Sequence, residues 1–346
     1  MPPLVRVCIA GAGRAGRVHA SSLVSHVPAG QLVAIVDPVT DVAEKACQDF
    51  GIETSFGSLE DALDWGEFEA VIVTTPTFTH RDLTVAAAAA RKHVFLEKPM
   101  ALTLAECDEM MAASEQNGIF LQLGFMRRFD PDFIRAFELI RAGQIGRPMI
   151  IKSLTHGPGL PPPWAWDLQR SNGMLAEVNS HDWDTARWFM DCNPERVYTE
   201  VANFKGAARG IKTKNYYDNL LVTIRFSDGG LGSISGICPC EYGYDARVEI
   251  IGEKGIMRVG DMKGQAMVMC TDRDQGLVTP TYRTWSERFA WAYIREMEHF
   301  VDCVQKGVPP SVDGSDGRWA VACVLAATRS FLEERPVHLN EVTGDH

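Results

Sequence analysis

A glycine-rich turn close to the start of the chain places the strongest limit on its fold. Gly11, Gly13 and Gly16 follow an apolar stretch at 4–10 that is typical of a buried strand, and residues 14–25 show a helical pattern. The first glycine of such a turn permits a tight bend, the second lets the backbone approach a pyrophosphate, and the third allows helix and strand to pack closely. In this context the turn predicts a dinucleotide-binding unit.

Strand and helix patterns alternate through the first part of the chain. Apolar runs at 32–36, 70–74, 93–96 and 119–124 alternate with helical patterns at 41–50, 86–90 and 103–117. Thr103 and Glu106 have the spacing of a capping box at the start of the last of these helices. The alternation predicts an α/β domain with a doubly wound parallel sheet, which we assign to residues 1–125.

The pattern changes after residue 125, and we assign 126–346 to a second, α+β domain. Several longer strands between 197 and 269 are separated by hairpin-type turns at 227–230 and 252–255, so we expect a large, mostly antiparallel sheet. Helical patterns occupy 131–142, 174–190, 286–306 and 317–334. Helices this late in a chain often pack back on an earlier domain, and the last two are candidates for it.

Composition narrows the class of protein. The net charge of -11 argues against a nucleic-acid partner, but it does not exclude an anionic cofactor, because a helix N-terminus binds phosphate locally. The nine cysteines lack the spacing of a metal site, so we expect reduced thiols and no metal. No apolar stretch has membrane-spanning length, and the first strand begins too early for a signal peptide, so we expect a cytoplasmic protein.

The residues around the glycine turn favour NAD over NADP. Asp37 ends the second strand, where a carboxylate accepts both ribose hydroxyls and repels a 2′-phosphate. Small polar residues after the 70–74 strand suit a backbone that lies beside the cofactor, although Thr77 could equally cap a helix there. The candidate cofactor-binding residues are Gly11, Gly13, Arg14, Ala15, Gly16, Asp37, Thr74, Thr75, Pro76, His80, Glu97 and Lys98.

Two clusters carry side chains suited to proton transfer. Lys98 follows the 93–96 strand at the edge of a parallel sheet where ligands bind, although a surface lysine at a bend remains an alternative. Glu177 and His181 are four residues apart and share one face of a helix, so the carboxylate could orient the imidazole. Asp184 could support His181 from the same face. A helix face with satisfied polar contacts is the alternative, and the lack of a second nearby histidine argues against a metal.

The order of these motifs resembles the Gfo/Idh/MocA oxidoreductase family, and within it the inositol 2-dehydrogenase-like branch. The resemblance extends over nearly the whole chain, including 124–129, 289–300 and 313–330. It implies a Rossmann domain followed by a sheet whose open face often forms homodimers or homotetramers. It also implies a cis peptide bond between Lys98 and Pro99.

The resemblance assigns roles to particular residues. Lys98 matches the family's catalytic lysine and His181 its catalytic histidine, while Glu177 stands where the family commonly has aspartate. That departure weakens an assignment to myo-inositol itself. The candidates for the substrate wall are Arg127, Trp164, Trp166 and Asn179. The two tryptophans could equally hold the proline-rich loop at 157–163.

These observations lead to a hypothesis with open alternatives. We expect NAD-dependent oxidation of a secondary hydroxyl of a cyclic polyol or sugar to a ketone, with His181 as general base and Lys98 bonded to the same oxygen. The reverse reduction of a keto-sugar would show itself in cofactor preference. An NAD-dependent glycoside hydrolase would release an aglycone without net NADH. A non-enzymatic regulator would bind NAD without turnover.

Overall fold

The computed structural model describes residues 3–260 and 282–344. These residues fall into two compact units. The first comprises residues within 1–130, 169–171 and 291–325, and the second comprises those within 131–168, 172–290 and 326–346. The part of the expected strand region that runs from 261 to 269 lies outside the described residues.

The strands of the described residues form two sheets. Their bounds are β1 Val5–Ala10, β2 Gly30–Val36, β3 Thr54–Phe56, β4 Ala70–Val73, β5 His93–Leu96, β6 Leu121–Leu123, β7 Pro148–His156, β8 Pro194–Ala202, β9 Asn219–Phe226, β10 Leu231–Ile237, β11 Asp245–Gly252, β12 Ile256–Val259 and β13 Val337–His338.

The helices of the described residues vary in length from 4 residues to 20. Their bounds are α1 Arg14–His26, α2 Thr40–Phe50, α3 Leu59–Trp65, α4 His80–Ala89, α5 Leu104–Asn117, α6 Pro131–Arg141, α7 Leu168–Ser171, α8 Gly173–Glu177, α9 Ser180–Met190, α10 Lys205–Ala208, α11 Trp285–Arg288, α12 Ala290–Lys306, α13 Gly314–Glu333 and α14 Asn340–Thr343. Short 3-10 helices add Thr77–Thr79, Met126–Phe129 and Pro163–Trp166.

The first unit contains a six-stranded parallel sheet in the order β3-β2-β1-β4-β5-β6. The chain moves outward from β1 in one direction and then from β4 in the other, which confirms the doubly wound arrangement. The adjacent carboxyl ends of β1 and β4 form the switch point where such sheets bind ligands. Helix α12 contributes Met297, Phe300 and Val301 to the same buried core as Val7 and Ile72.

The second unit contains a seven-stranded sheet in the order β12-β11-β7-β10-β9-β8-β13. All its neighbouring strands are antiparallel except β7 and β10, so the expectation of a mostly antiparallel sheet is confirmed. Helix α9 packs against β7 and β10. Strand β9 buries alternate residues, while Leu221, Thr223 and Arg225 on its other face are exposed.

Two helices that the sequence predicts as continuous are interrupted. The 286–306 helix is α11 followed by α12, with Phe289 between them. The 174–190 helix is α8 followed by α9, with Val178 and Asn179 between them. The amide of Asn179 donates to the Asp182 carboxylate at 2.8 Å, a local bond of the kind that makes asparagine prefer helix ends to helix interiors. Glu177 and His181 therefore lie on different helices and do not share one helix face.

Candidate active site

The glycine turn is built by close backbone packing. Gly11 has a φ of 101°, and a Cβ atom there would lie 2.9 Å from the backbone carbon of Thr74. A Cβ on Gly16 would lie 1.9 Å from the Gly11 carbonyl oxygen. At Gly13, by contrast, no atom of the described residues lies within 4 Å of a Cβ position. The turn is tight at its first and third glycines and open at the second, as a phosphate-binding turn requires.

Asp37 lies beside this turn. Its carboxylate accepts hydrogen bonds from the backbone N–H groups of Ala12 and Val39, each at 3.0 Å. The residue follows β2, which pairs in parallel with β1, so both strands deliver their carboxyl ends to the same edge. Arg14, exposed, and Ala15 begin helix α1 directly after the turn. The backbone and carboxylate here fit the pyrophosphate and ribose of a dinucleotide.

The residues after β4 hold the turn in place. The Thr74 hydroxyl donates to the Gly11 carbonyl oxygen at 2.7 Å, and the Thr75 and Thr79 hydroxyls lie 2.6 Å apart, with Pro76 between them in sequence. The imidazole of His80 is buried at the start of α4. The sequence-predicted residues of this loop therefore meet the glycine turn at one edge of the sheet.

Lys98 follows β5 at the same edge and is half-buried. The peptide bond between Lys98 and Pro99 is cis. The preceding Glu97 is buried, and its carboxylate accepts from His19 Nε2 at 2.7 Å and from the backbone N–H of Lys98 at 3.1 Å.

Two buried carboxyl groups of the first unit, Glu97 and Glu296, have pKa values that are shifted in opposite directions. Burial alone raises the pKa of Glu97, but the hydrogen bond from His19 and the charges of His19 and Lys98 outweigh it, so that pKa lies below its usual range. Burial holds the pKa of Glu296, on α12, well above its usual value, and the charge of Glu97 raises it further. Glu97 therefore favours its ionised form, whereas Glu296 favours its protonated form.

In the second unit, His181 lies in the first turn of α9 and is only 5% exposed. Its neighbour Asp182 is fully buried, and the carboxylate accepts from Ser153 Oγ at 2.5 Å, from Thr155 Oγ1 at 2.7 Å and from the Asn179 amide at 2.8 Å. Both hydroxyl groups project from β7. This network fixes the beginning of α9, and with it the backbone of His181, to the sheet.

The four candidate substrate residues differ in their burial and in the unit to which they belong. Arg127, in the first unit, is fully buried, as is Asn179 in the second. Trp164 and Trp166 belong to a 3-10 helix of the second unit, and both are half-buried. The indole of Trp166 donates to the Pro161 carbonyl oxygen at 2.9 Å, so Trp166 does hold the proline-rich loop.

Several side chains that help to build the two clusters around Lys98 and His181 were not singled out by the sequence. They are His19, Glu296, Ser153 and Thr155, and each interacts with a residue that is distant in the sequence. The only available signal was weak: Ser153 and Thr155 are two residues apart, so in an extended strand they would share one face.

Residues 3–260 and 282–344 contain neither a candidate metal site nor a candidate membrane-spanning helix. No group of three His, Cys, Asp or Glu side chains there is arranged to hold a metal ion. In the same residues, no helix combines the length and apolar character needed to cross a bilayer.

Comparison with known protein families gives two matches in this chain. Residues 5–125 match the model described as the oxidoreductase family, NAD-binding Rossmann fold. Residues 133–258 match the model of the GFO/IDH/MocA C-terminal domain.

Individual relatives are similar along almost the full length. The scyllo-inositol 2-dehydrogenase (NAD(+)) of Bacillus subtilis is 33% identical over 97% of this chain and 96% of its own. The myo-inositol 2-dehydrogenase of Thermotoga maritima is 32% identical over 98% of this chain and 100% of its own. The crystal structure of scyllo-inositol dehydrogenase from Lactobacillus casei, with bound NAD(H) and scyllo-inositol, superposes with a TM-score of 0.88 at 25% identity, covering 97% of this chain and 99% of that one.

Proposed function

The chain belongs to the GFO/IDH/MocA oxidoreductase family, and we propose that it oxidises one secondary hydroxyl of an inositol-like cyclic polyol to a ketone, with NAD as hydride acceptor. It is an enzyme, an NAD(P)-dependent dehydrogenase that acts on CH–OH groups. The observation that carries the choice of substrate class is the end-to-end similarity to relatives named as inositol 2-dehydrogenases. A sugar of similar ring size is the nearest alternative substrate.

The roles of the site residues follow from the chemistry of alcohol oxidation. His181 takes the hydroxyl proton as general base, while Lys98 donates a hydrogen bond to the same oxygen and stabilises its growing negative charge. Glu177 orients His181 or holds a neighbouring hydroxyl. A bound NAD would supply the acceptor for the hydride that leaves the carbon. The position of Lys98 at the sheet edge that carries the glycine turn supports this assignment.

The preference for NAD over NADP rests on Asp37. Its carboxylate is held beside the glycine turn by Ala12 and Val39, where it can accept from the ribose hydroxyls. A 2′-phosphate at the same position would meet a fixed negative charge.

Arg127, Trp164, Trp166 and Asn179 remain candidates for substrate contact. Asn179 Nδ2 is already committed to Asp182, whereas its Oδ1 has no hydrogen-bond partner among the described residues. This oxygen is buried against β10, where a Cβ atom on Gly236 would lie 2.4 Å from it, so nothing in its surroundings favours Asn179 over the other three candidates.

The open face of the second sheet is our candidate for self-association into a homodimer or homotetramer. Leu221 on β9 is 64% exposed and Leu231 on β10 is 42% exposed, and both side chains project from the face opposite the buried residues of these strands. We propose that these leucines are covered where the open sheet faces of two copies of the chain pack together.

The function is tested by NADH absorbance with NAD and a panel of inositol stereoisomers, aldoses and anhydrosugars. We expect NADH to form with one or more inositols, and Lys98→Ala and His181→Ala to lower turnover at least about 100-fold. Lys306→Ala, at an exposed ion pair on α12, is the control and should leave turnover unchanged. Wild-type turnover in both active-site variants would refute the residue roles. NAD binding without NADH formation on the whole panel would refute the substrate class.

A further inference from the structure

The two ring nitrogens of His80 face the backbone of two loops of the candidate site. Nδ1 lies 2.9 Å from the carbonyl oxygen of Pro99, and Nε2 lies 2.9 Å from the carbonyl oxygen of Thr75. Pro99 directly follows Lys98, and Thr75 belongs to the loop that holds the glycine turn. His80 is 1% exposed, and the groups that its ring nitrogens face belong to the protein backbone.

The chemistry of the ring decides which of the two contacts matters more. Burial lowers the pKa of His80, although the two carbonyl oxygens and the charge of Glu97 raise it in part. A neutral imidazole carries one N–H and can satisfy one carbonyl at a time. Pro99 is buried whereas Thr75 is half-buried, and a buried carbonyl loses more when it lacks a donor. This difference in burial favours the hydrogen on Nδ1, where it would bond the Pro99 carbonyl oxygen.

A second buried histidine holds the other side of Lys98. His19 is fully buried on α1 and bonds the Glu97 carboxylate, whose second oxygen accepts from the backbone N–H of Lys98. The backbone of Lys98 is thus held before the residue through Glu97 and after it through Pro99. Both holding helices, α1 and α4, begin at loops of the dinucleotide site.

We propose that His80 is a positioning residue for Lys98, acting through a hydrogen bond from Nδ1 to the Pro99 carbonyl oxygen. The role of Lys98 in turnover is part of the proposed function, on which this inference rests. In this arrangement His80 fixes the direction of the lysine side chain without touching substrate.

Two amide substitutions separate the contacts of the ring. The amide nitrogen of Asn can occupy the place of Nδ1, and that of Gln the place of Nε2, so His80→Asn keeps a donor for Pro99 and His80→Gln keeps one for Thr75. We expect His80→Asn to retain kcat within about threefold, whereas His80→Gln and His80→Ala lower kcat about tenfold or more, since a lysine displaced by a fraction of an ångström is already costly. His93→Gln is the control, because His93 bonds the Phe120 N–H at the opposite end of β5.

A second readout needs neither substrate nor cofactor. The rate at which Lys98 reacts with a lysine-acylating reagent is followed by peptide mass spectrometry in the enzyme without NAD. Release of the Pro99 carbonyl should raise this rate at least about twofold in His80→Gln and His80→Ala, and leave it unchanged in His80→Asn and His93→Gln.

The outcomes separate this inference from the proposed function. Equal kcat and equal acylation rates in His80→Asn and His80→Gln would overturn the positioning role, because a purely structural residue would not distinguish the place of the donor. A change confined to KM for NAD would overturn it too, by assigning His80 to the dinucleotide loop alone. If the wild type oxidises none of the polyols, the proposed function fails, while the acylation rates still decide what His80 does to Lys98.

Discussion

Glu296 places a carboxyl group in the buried interior of the first unit. It lies on α12 beside Met297, is fully buried, and neither carboxyl oxygen has a hydrogen-bond partner among the described residues. Burial and the nearby charge of Glu97 raise the pKa of Glu296 in the folded protein. In the unfolded chain the carboxyl group loses its proton near the ordinary pKa of glutamate, about 4.3. The folded protein therefore keeps this proton to a higher pH than the unfolded chain does. A group with a raised pKa in the folded state contributes stability below its unfolded pKa, and this contribution is lost as the pH rises towards the folded value.

Replacing Glu296 with glutamine should therefore change the pH dependence of stability. The free energy of unfolding of Glu296→Gln should rise relative to wild type by about 1.4 kcal/mol per pH unit between the unfolded and folded pKa values. Urea unfolding at several pH values from about 5 to about 8 measures the difference. Glu298→Gln, on the exposed side of α12, should show no such trend. Parallel wild-type and Glu296→Gln curves would mean that Glu296 is ionised in the folded protein.

Asp37 allows a test of cofactor choice that leaves the glycine turn intact. In Asp37→Asn the amide oxygen can still accept from the Ala12 N–H, but the negative charge that opposes a 2′-phosphate is gone. We expect the ratio of kcat/KM for NAD to that for NADP to fall about tenfold or more, equivalent to about 1.4 kcal/mol of discrimination. Asp41→Asn, exposed on α2, is the matched control. An unchanged ratio would remove Asp37 from the basis of NAD selection.

At the scale of elements, local patterns were predictable and tertiary ones were not. The capping box of α5 is present, with Glu106 N–H donating to Thr103 Oγ1 at 3.2 Å and Thr103 N–H donating to Glu106 Oε2 at 3.0 Å. Its partners are three residues apart, so the sequence contains all the information. The interruption between α8 and α9 depends on Asp182, whose other partners lie on β7 nearly thirty residues away. No periodicity in the 174–190 segment carries that contact.

The attachment of α9 to β7 gives a prediction for a single hydroxyl. Thr155→Val keeps the shape of the side chain but removes one donor to the buried Asp182 carboxylate, which should cost about 1–3 kcal/mol of unfolding free energy and lower turnover through displacement of His181. Thr199→Val is the matched control, since Thr199 is equally buried and its Oγ1 has no hydrogen-bond partner among the described residues. Denaturant unfolding and kcat measure both effects. Equal stability of the two variants would show that the hydroxyl of Thr155 does not hold α9.

At the scale of the whole molecule, the two sheets differed in how far the sequence determined them. The parallel sheet was predictable because each strand and helix follows the last in a regular alternation, and one connection rule fixes their direction. In the second sheet the hairpin turns indicated antiparallel neighbours. The parallel pairing of β7 with β10 joins Ile150 to Leu231, and no turn between them signals it. Pairing of strands so distant in sequence is decided by packing.

The open face of the second sheet carries the last prediction. Leu221 and Leu231 are exposed apolar residues on neighbouring strands, and a stable homodimer buries roughly 800 Å² of accessible surface, polar and apolar together, on each partner. We expect the wild type to have the mass of a dimer or tetramer in light scattering. The double variant Leu221→Glu with Leu231→Glu should dissociate, because burying two carboxylates against a partner costs more free energy than the remaining contacts contribute. Val24→Glu, half-exposed on α1 in the first unit, is the control and should keep the wild-type mass. If the double variant also keeps that mass, association uses another surface. A monomeric wild type would instead leave these leucines as isolated exposed residues of an ordinary sheet.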